Sequence, residues 1–386
     1  MKRDLRNQQQ FFELVRAGLF PGKGAKILAH GESVDWGLIY QMAEEQSVVG
    51  LVAAGIEELR ATNCRAVEVP QEWALQFIGQ TLQIEQRNKA MNEFVAKLIA
   101  VLRKNDIYAI LVKGQGIAQC YEKPLWRASG DVDLLLSEDN YEKAKALLVP
   151  LATEVETEYT HFKHLGMTID GWVVELHGTL HSRLSARVDR MIDAVQGDVF
   201  YGGQVRSVEF KSSNGSRVQV FLPAPDEDVI FVFTHILHHF FFEGIGLRQI
   251  CDWCRLLYRY RGELDLQVLE SRIRRMGLMS EWKSFYALAT KYLGLPEVSG
   301  FMFQDSRHEK WERKADRICE FVMKVGNFGH KQRRNFTGMS YAKRKFVSFW
   351  GRLTDMLRHF RLFPLDSIRF LGGVLRSGLH AAVRGE

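Results

Sequence analysis

Between Ile107 and Leu222 the chain leaves helical spacing for short β-branched and aliphatic runs, and it returns to helical spacing afterwards. This change of texture constrains the fold more than any other feature. The runs are Ile107 to Val112, Asp131 to Leu136, Thr168 to Leu176 and Arg217 to Leu222, separated by Gly, Ser and Asn turns. Ile117 to Tyr121 and Asn140 to Leu148 read as helices between them. Upstream, Phe11, Phe12, Leu14, Val15 and Leu19, then Trp36 to Leu59, then Trp73 to Leu102 follow helical periodicity. Downstream, Pro225 and the acidic Asp226 to Asp228 cluster mark a helix start with a negative first turn. The expected class is α+β: a small mixed sheet with helices, flanked by helical regions. Expected boundaries are 1–104 for the N-terminal helical region, 105–222 for the α+β core, 223–330 for a second helical region, and 331–386 for a basic amphipathic segment.

Composition enters where it excludes. Of 386 residues, 46% are hydrophobic and 25% charged, which rules out a disordered or fibrous chain. Five scattered cysteines do not make a secreted disulfide framework. The N-terminus is charged and glutamine-rich, unlike a signal peptide, and the most apolar window, Val229 to Phe242, is shorter than the roughly 20 residues of a membrane span. A cytoplasmic location follows as the expectation. Charge is uneven: residues 331–386 carry twelve Lys and Arg against three acids, a net of +9, while the whole chain is only +6. In that segment Phe346, Phe349, Trp350, Leu353, Met356, Leu357 and Phe360 fall on one helical face opposite a basic face. The stripe docks on the body of the protein or serves as a peripheral membrane or protein-partner element.

Ser129-Gly130-Asp131-Val132-Asp133-Leu134-Leu135-Leu136 sets two carboxylates at i and i+2 of a strand. Alternation turns both to one face with Cα atoms about 6.5 to 7 Å apart. Two like charges so placed repel, and a divalent cation with oxygen ligands is the direct remedy. In Trp172-Val173-Val174-Glu175-Leu176-His177, an acid sits inside an apolar run and shares a face with His177. Upstream, Ile110 to Val112 ends in Lys113-Gly114-Gln115-Gly116, a strand feeding a glycine turn and a helix, where backbone amides and the Lys113 ammonium suit phosphate oxygens.

The order Lys113-Gly114, then Arg127, then Asp131 to Leu135, then Glu175-Leu176-His177 resembles the nucleotidyltransferase superfold of DNA polymerase beta and kanamycin nucleotidyltransferase, and in particular a bacterial branch of it. His235, Arg248 and Asp252 match a His-containing helix followed by an Arg and Asp pair in that branch. The superfamily turn is usually Gly-Ser or Gly-Gly, whereas Gln115 follows Gly114 here. The resemblance implies metal-dependent transfer of a nucleoside monophosphate from a nucleoside triphosphate such as ATP to an acceptor hydroxyl or phosphate. Asp131, Asp133 and Glu175 would be catalytic and would hold two Mg2+ or Mn2+ ions. Lys113, Gly114, Gln115 and Arg127 would bind the phosphates, and His177, His235, Arg248 and Asp252 would lie in the cleft.

Two rival classes remain: a non-catalytic nucleotide-binding or sensing protein, and a membrane-surface or polyanion-binding protein acting through the basic C-terminal helices. The acceptor is open among small molecules, glycans, proteins and RNA, and no recognisable nucleic-acid-binding motif favours RNA. His161 and His164, His177 and His181, and His235, His238 and His239 have helix-compatible spacings without a zinc signature. Cys251 and Cys254 read as buried residues of a helix from Gln249 to Tyr258. Arg248 and Asp252, at i and i+4, fit either an intrahelical ion pair or a role in the cleft.

Overall fold

The computed structural model describes residues 2–22, 34–61, 68–158, 163–203, 205–212, 215–242, 244–297, 300–301, 307–326, 360 and 362–364. The helical lead-in comprises α1 (Lys2–Leu19), α2 (Trp36–Glu45), α3 (Val49–Ala61) and α4 (Gln71–Lys104). Asp35 caps α2, its Oδ1 accepting from the Leu38 amide at 3.1 Å. Next come β1 (Ala109–Val112), α5 (Gly114–Ala118), β2 (Asp131–Leu136), α6 (Glu138–Leu148) and β3 (Glu154–Val155). They are followed by β4 (His164–Ile169), β5 (Trp172–His177), α7 (Ala186–Tyr201), β6 (Val205–Lys211) and β7 (Arg217–Pro223). The helical remainder is α8 (Pro225–Phe242), α9 (Leu247–Arg259), α10 (Leu266–Met276), α11 (Met279–Leu293) and α12 (His308–Val325).

The strands form one seven-stranded mixed sheet in the order β3-β4-β5-β2-β1-β7-β6, with helices on both sides, so the class is α+β as expected. β2 pairs antiparallel with β1 and parallel with β5, which places it at the centre. Its six residues divide by alternation. Val132, Leu134 and Leu136 join a core with Leu98, Ile99 and Leu102 of α4 and Tyr141 and Leu148 of α6. Asp131, Asp133 and Leu135 therefore turn to the other face, where Leu135 enters the larger core made by α1 to α3 and α7 to α12.

The run Thr168 to Leu176 is a hairpin rather than one strand. Asp170 (φ 50°) and Gly171 (φ 78°) form the turn, and both positive φ values suit the Asp-Gly pair. The hairpin register pairs His164 with His177 and Gly166 with Glu175. α7 and β6 had no counterpart in the sequence reading. The helix expected over Gln249 to Tyr258 runs from Leu247 to Arg259, and Cys251 and Cys254 are buried in it. Among the described residues no helix is long and apolar enough to cross a membrane. Most of the amphipathic C-terminal stripe lies outside the described residues, but Leu362 and Phe363 are buried, and the Phe363 ring lies 6.2 Å from that of Phe240 in α8.

Candidate active site

A cleft of about 430 Å³ separates the polar face of the sheet from α8 and α9. On the sheet side, parallel pairing sets Asp133 directly opposite Glu175, with Asp131 two residues away on the same face. All three line the cleft. The crowding acts on Asp131: repulsion from Asp133, then burial, then the Glu175 charge push its carboxyl above its ordinary value. Asp133 is almost fully buried, and its Oδ1 accepts hydrogen bonds from Lys113 Nζ at 2.7 Å and from His177 Nε2 at 2.8 Å.

Lys113 reaches Asp133 from an unusual backbone. It ends β1 with φ 58° and ψ −148°, a conformation that L-residues rarely adopt, and Gly114 follows with φ 38°. Burial opposes the Lys113 charge, but Asp133 and Glu175 outweigh it and raise the ammonium above its usual range. Glu175 is held well below the usual carboxylate range: burial works against ionisation, and hydrogen bonds from His164 and His177 and the Lys113 charge overcome it. The Glu175 Oε2 lies 3.2 Å from His164 Nε2 and 3.4 Å from His177 Nε2. His177 is likewise raised, since its bonds to Asp133 and Glu175 outweigh its burial.

The helical side is arranged differently. Arg127 is buried and forms a bidentate pair with Asp252 of α9, Nε to Oδ1 at 3.0 Å and Nη2 to Oδ2 at 2.6 Å. Tyr121 Oη donates to the same Asp252 Oδ1 at 2.8 Å, and Arg127 Nη1 donates to Ser129 Oγ at 2.8 Å. Asp252 thus pairs with Arg127 across the interface, and the intrahelical pair with Arg248 does not form. Arg248 Nη1 donates to the Ala128 carbonyl at 3.0 Å, and its buried Nε has no partner among the described residues. Burial and the neighbouring Arg127 charge lower the Arg248 guanidinium from its ordinary range. His235 lines the cleft within hydrogen-bond distance of His239, 3.0 Å between Nε2 atoms, and burial together with the Lys113 charge holds it well below the usual histidine range.

The structure therefore brings together Lys113, Gly114, Arg127, Asp131, Asp133, Glu175, His177, His235, Arg248 and Asp252 in one cleft. It does not bring Gln115 there. As the second residue of α5, Gln115 points away from the cleft into the interface with α4, where its Nε2 donates to Asn88 Oδ1 at 2.9 Å. Asn88 in turn donates to the Leu125 and Arg127 carbonyls, both at 2.7 Å, so Gln115 supports the Arg127 loop rather than a phosphate. His164 was missed as a site residue, because its nearness to Glu175 depends on the hairpin register; the Asp170-Gly171 turn was the available signal. His161 lies outside the described residues.

The donor chemistry suits a divalent cation. Three carboxylates share one face, one of them resists ionisation because of the others, and Lys113, His164 and His177 bring nitrogen atoms within hydrogen-bond distance of two of them. A strand-borne acidic cluster thus faces a helical wall behind a Lys-Gly turn. The chain belongs to the family described as "Uncharacterised nucleotidyltransferase", whose model matches residues 32–294. No curated protein and no solved structure matches the chain. Membership supports nucleotidyl transfer as the general role, with a nucleotide as substrate.

Proposed function

We propose that the protein transfers a nucleoside monophosphate from a nucleoside triphosphate to an acceptor hydroxyl or phosphate in the cleft between the sheet and α8 and α9. The observation that carries this reading is the register of β2 and β5, which gathers Asp131, Asp133 and Glu175 on one polar face. Asp131, Asp133 and Glu175 would hold divalent cations, Mg2+ or Mn2+. Such ions, when bound, neutralise the triphosphate and make an acceptor oxygen more nucleophilic.

The chain's own residues divide the remaining work. Asp131 and Asp133 would hold a cation beside the triphosphate, whose charge that ion would offset. Lys113, whose Nζ lies 2.7 Å from Asp133 Oδ1 in the cleft, is positioned to neutralise phosphate oxygens. Arg248 offers a buried Nε donor without a partner among the described residues, whereas Arg127 is closed in its pair with Asp252, so Arg248 is the guanidinium assigned to meet a phosphate. Arg127 and Asp252 hold the 121–129 loop against α9 and so fix the floor on which Asp131 stands. The acceptor oxygen bonds to the α-phosphorus as the bond to the leaving pyrophosphate breaks, and the acceptor proton departs to solvent.

The test is transfer of label from an α-labelled triphosphate into acceptors present in cell extract, with divalent metal supplied. The doubly substituted Asp131→Asn, Asp133→Asn protein is expected to lose transfer by at least about a thousandfold, the scale of several kcal/mol that metal activation supplies, and to remain folded. It is also expected to lose the rise in melting temperature that metal and triphosphate together produce. An unchanged ligand-induced rise in this variant overturns the assignment. Triphosphate binding by the parent protein without transfer to any acceptor selects the sensing alternative.

A further inference from the structure

The β4–β5 hairpin builds a donor set that the acidic motif alone does not contain. Closing at Asp170-Gly171, it sets His164 opposite His177, and alternation keeps Glu175 on the same face. One ligand atom from each of His164, Glu175 and His177 lies within 4.8 Å of the other two. All three side chains line the cleft, so an ion can enter and a solvent or substrate oxygen can complete its shell.

We propose that His164, Glu175 and His177 form a site for a divalent first-row transition metal, preferring Zn2+, Co2+ or Mn2+ to Mg2+, on the acceptor side of the cleft. The placement on the acceptor side rests on the transfer reading above; the metal preference rests on the donors alone. Imidazole nitrogen is a good ligand for these transition metals, whereas Mg2+ demands oxygen ligands and keeps its waters. The spacing agrees. Two donors each about 2.0 to 2.1 Å from a tetrahedral ion stand roughly 3.3 Å apart, and Glu175 Oε2 lies 3.2 Å from one histidine nitrogen and 3.4 Å from the other.

The chain would then divide its cations by ligand chemistry. Asp131 and Asp133 offer oxygen donors only, matching the ion that travels with a triphosphate. The hairpin offers two nitrogens and one oxygen, matching an ion resident in the protein. His177 touches both groups, because its Nε2 also lies 2.8 Å from Asp133 Oδ1. His164 meets Glu175 at 3.2 Å, whereas His177 meets both Glu175 and Asp133, which makes His164 the cleaner handle.

The experiment titrates the untagged, chelator-treated full chain with Co2+ and follows visible d–d absorption, with a parallel thermal melt in Zn2+ or Mg2+. The expected result is an intense low-coordinate Co2+ spectrum, displaced by Zn2+ and not by a large excess of Mg2+, and a melting temperature raised by Zn2+ alone. His164→Gln should weaken Co2+ binding by at least about a hundredfold, no less than loss of an outer-shell partner costs. Its metal-free melting temperature should be unchanged, and so should the joint effect of Mg2+ and triphosphate. His177→Gln provides a second variant with the same expected loss of the Co2+ spectrum. A spectrum like that of hexaaqua Co2+, or one unchanged in both variants, overturns the proposal while leaving the transfer reading standing if triphosphate still binds. Co2+ bound through the histidines in a protein with no triphosphate response upholds the metal site and removes the transfer reading.

Discussion

The two walls of the cleft use the same side-chain types to opposite ends. On the sheet, Asp131, Asp133 and Glu175 stand as a crowded group of acids, held together by Lys113, His164 and His177 reaching in from the ends of β1, β4 and β5. On the helical wall, Asp252 is met by both prongs of Arg127 and by the Tyr121 hydroxyl, and the group is closed. An acid whose neighbour is another acid keeps unspent attraction for a cation. An acid closed in a bidentate pair has none to offer and serves cohesion. Position in the secondary structure decides which occurs, because a strand repeats a side chain on the same face every second residue, whereas a helix turns the next residue away.

This contrast is exposed to test, with the largest effect on the helical wall. Arg127→Met leaves Asp252 as an uncompensated buried charge, and stability should fall by about 3 to 5 kcal/mol, read as a lower denaturant midpoint. Replacing both partners, Arg127→Met with Asp252→Leu, should recover most of that loss. A single variant that keeps its stability but loses transfer would place Arg127 at the phosphates and erase the distinction between the walls.

On the sheet wall, Glu175→Gln should reduce transfer by about a hundredfold while triphosphate affinity stays within several-fold. Equal losses in binding and transfer would mean that Glu175 belongs with Asp131 and Asp133 and that the acids do not divide their work. Arg248→Gln comes next. A charged hydrogen bond of about 2 kcal/mol corresponds to roughly thirtyfold weaker triphosphate binding, with the metal-free melting temperature no lower. A drop in stability without a change in affinity would move Arg248 to the cohesive group.

The smallest effect lies at the start of α8, where Asp226 accepts a hydrogen bond from the Asp265 amide. Burial raises Asp226 to about 6, against a backbone hydrogen bond from Asp265 that favours ionisation. A folded value above the ordinary 3.8 means that the native state holds this proton more tightly than the unfolded chain. Ionisation therefore costs stability as pH rises from about 4 to 6, and the full cost is present above that window. Because the group is partly exposed, the cost is on the order of 1 kcal/mol after screening. Asp226→Asn should raise stability by that amount at pH 8 and by nothing at pH 3, measured by chemical denaturation at the two pH values.

Much of this was legible in the chain and some was not. The Asp131-Val132-Asp133 alternation inside an aliphatic run requires two acids on one strand face wherever the strand lies, and β2 has the expected bounds, Asp131 to Leu136. The helical lead-in and the acidic start of α8 follow from periodicity and from the helix dipole in the same local way. The single run over Thr168 to Leu176 split into two strands because a tight Asp-Gly turn fits within an apolar stretch that periodicity alone reads as continuous.

What the sequence determined by itself is what acts over a few residues: the strand that carries the acids, the Lys-Gly turn that ends β1, and the helices on either side. Tertiary structure decided the partners. Asp252 is four residues from Arg248 and 125 from Arg127, yet it pairs with Arg127, because the loop before β2 packs against α9 and a buried charge takes the partner that offers two hydrogen bonds. Gln115 sits in the phosphate-binding motif but serves Asn88, because a one-turn helix sends its second side chain to the opposite side. His164 joins Glu175 only through hairpin register, which sequence spacing does not display and which a slip of one residue would undo by turning the ring to the other face.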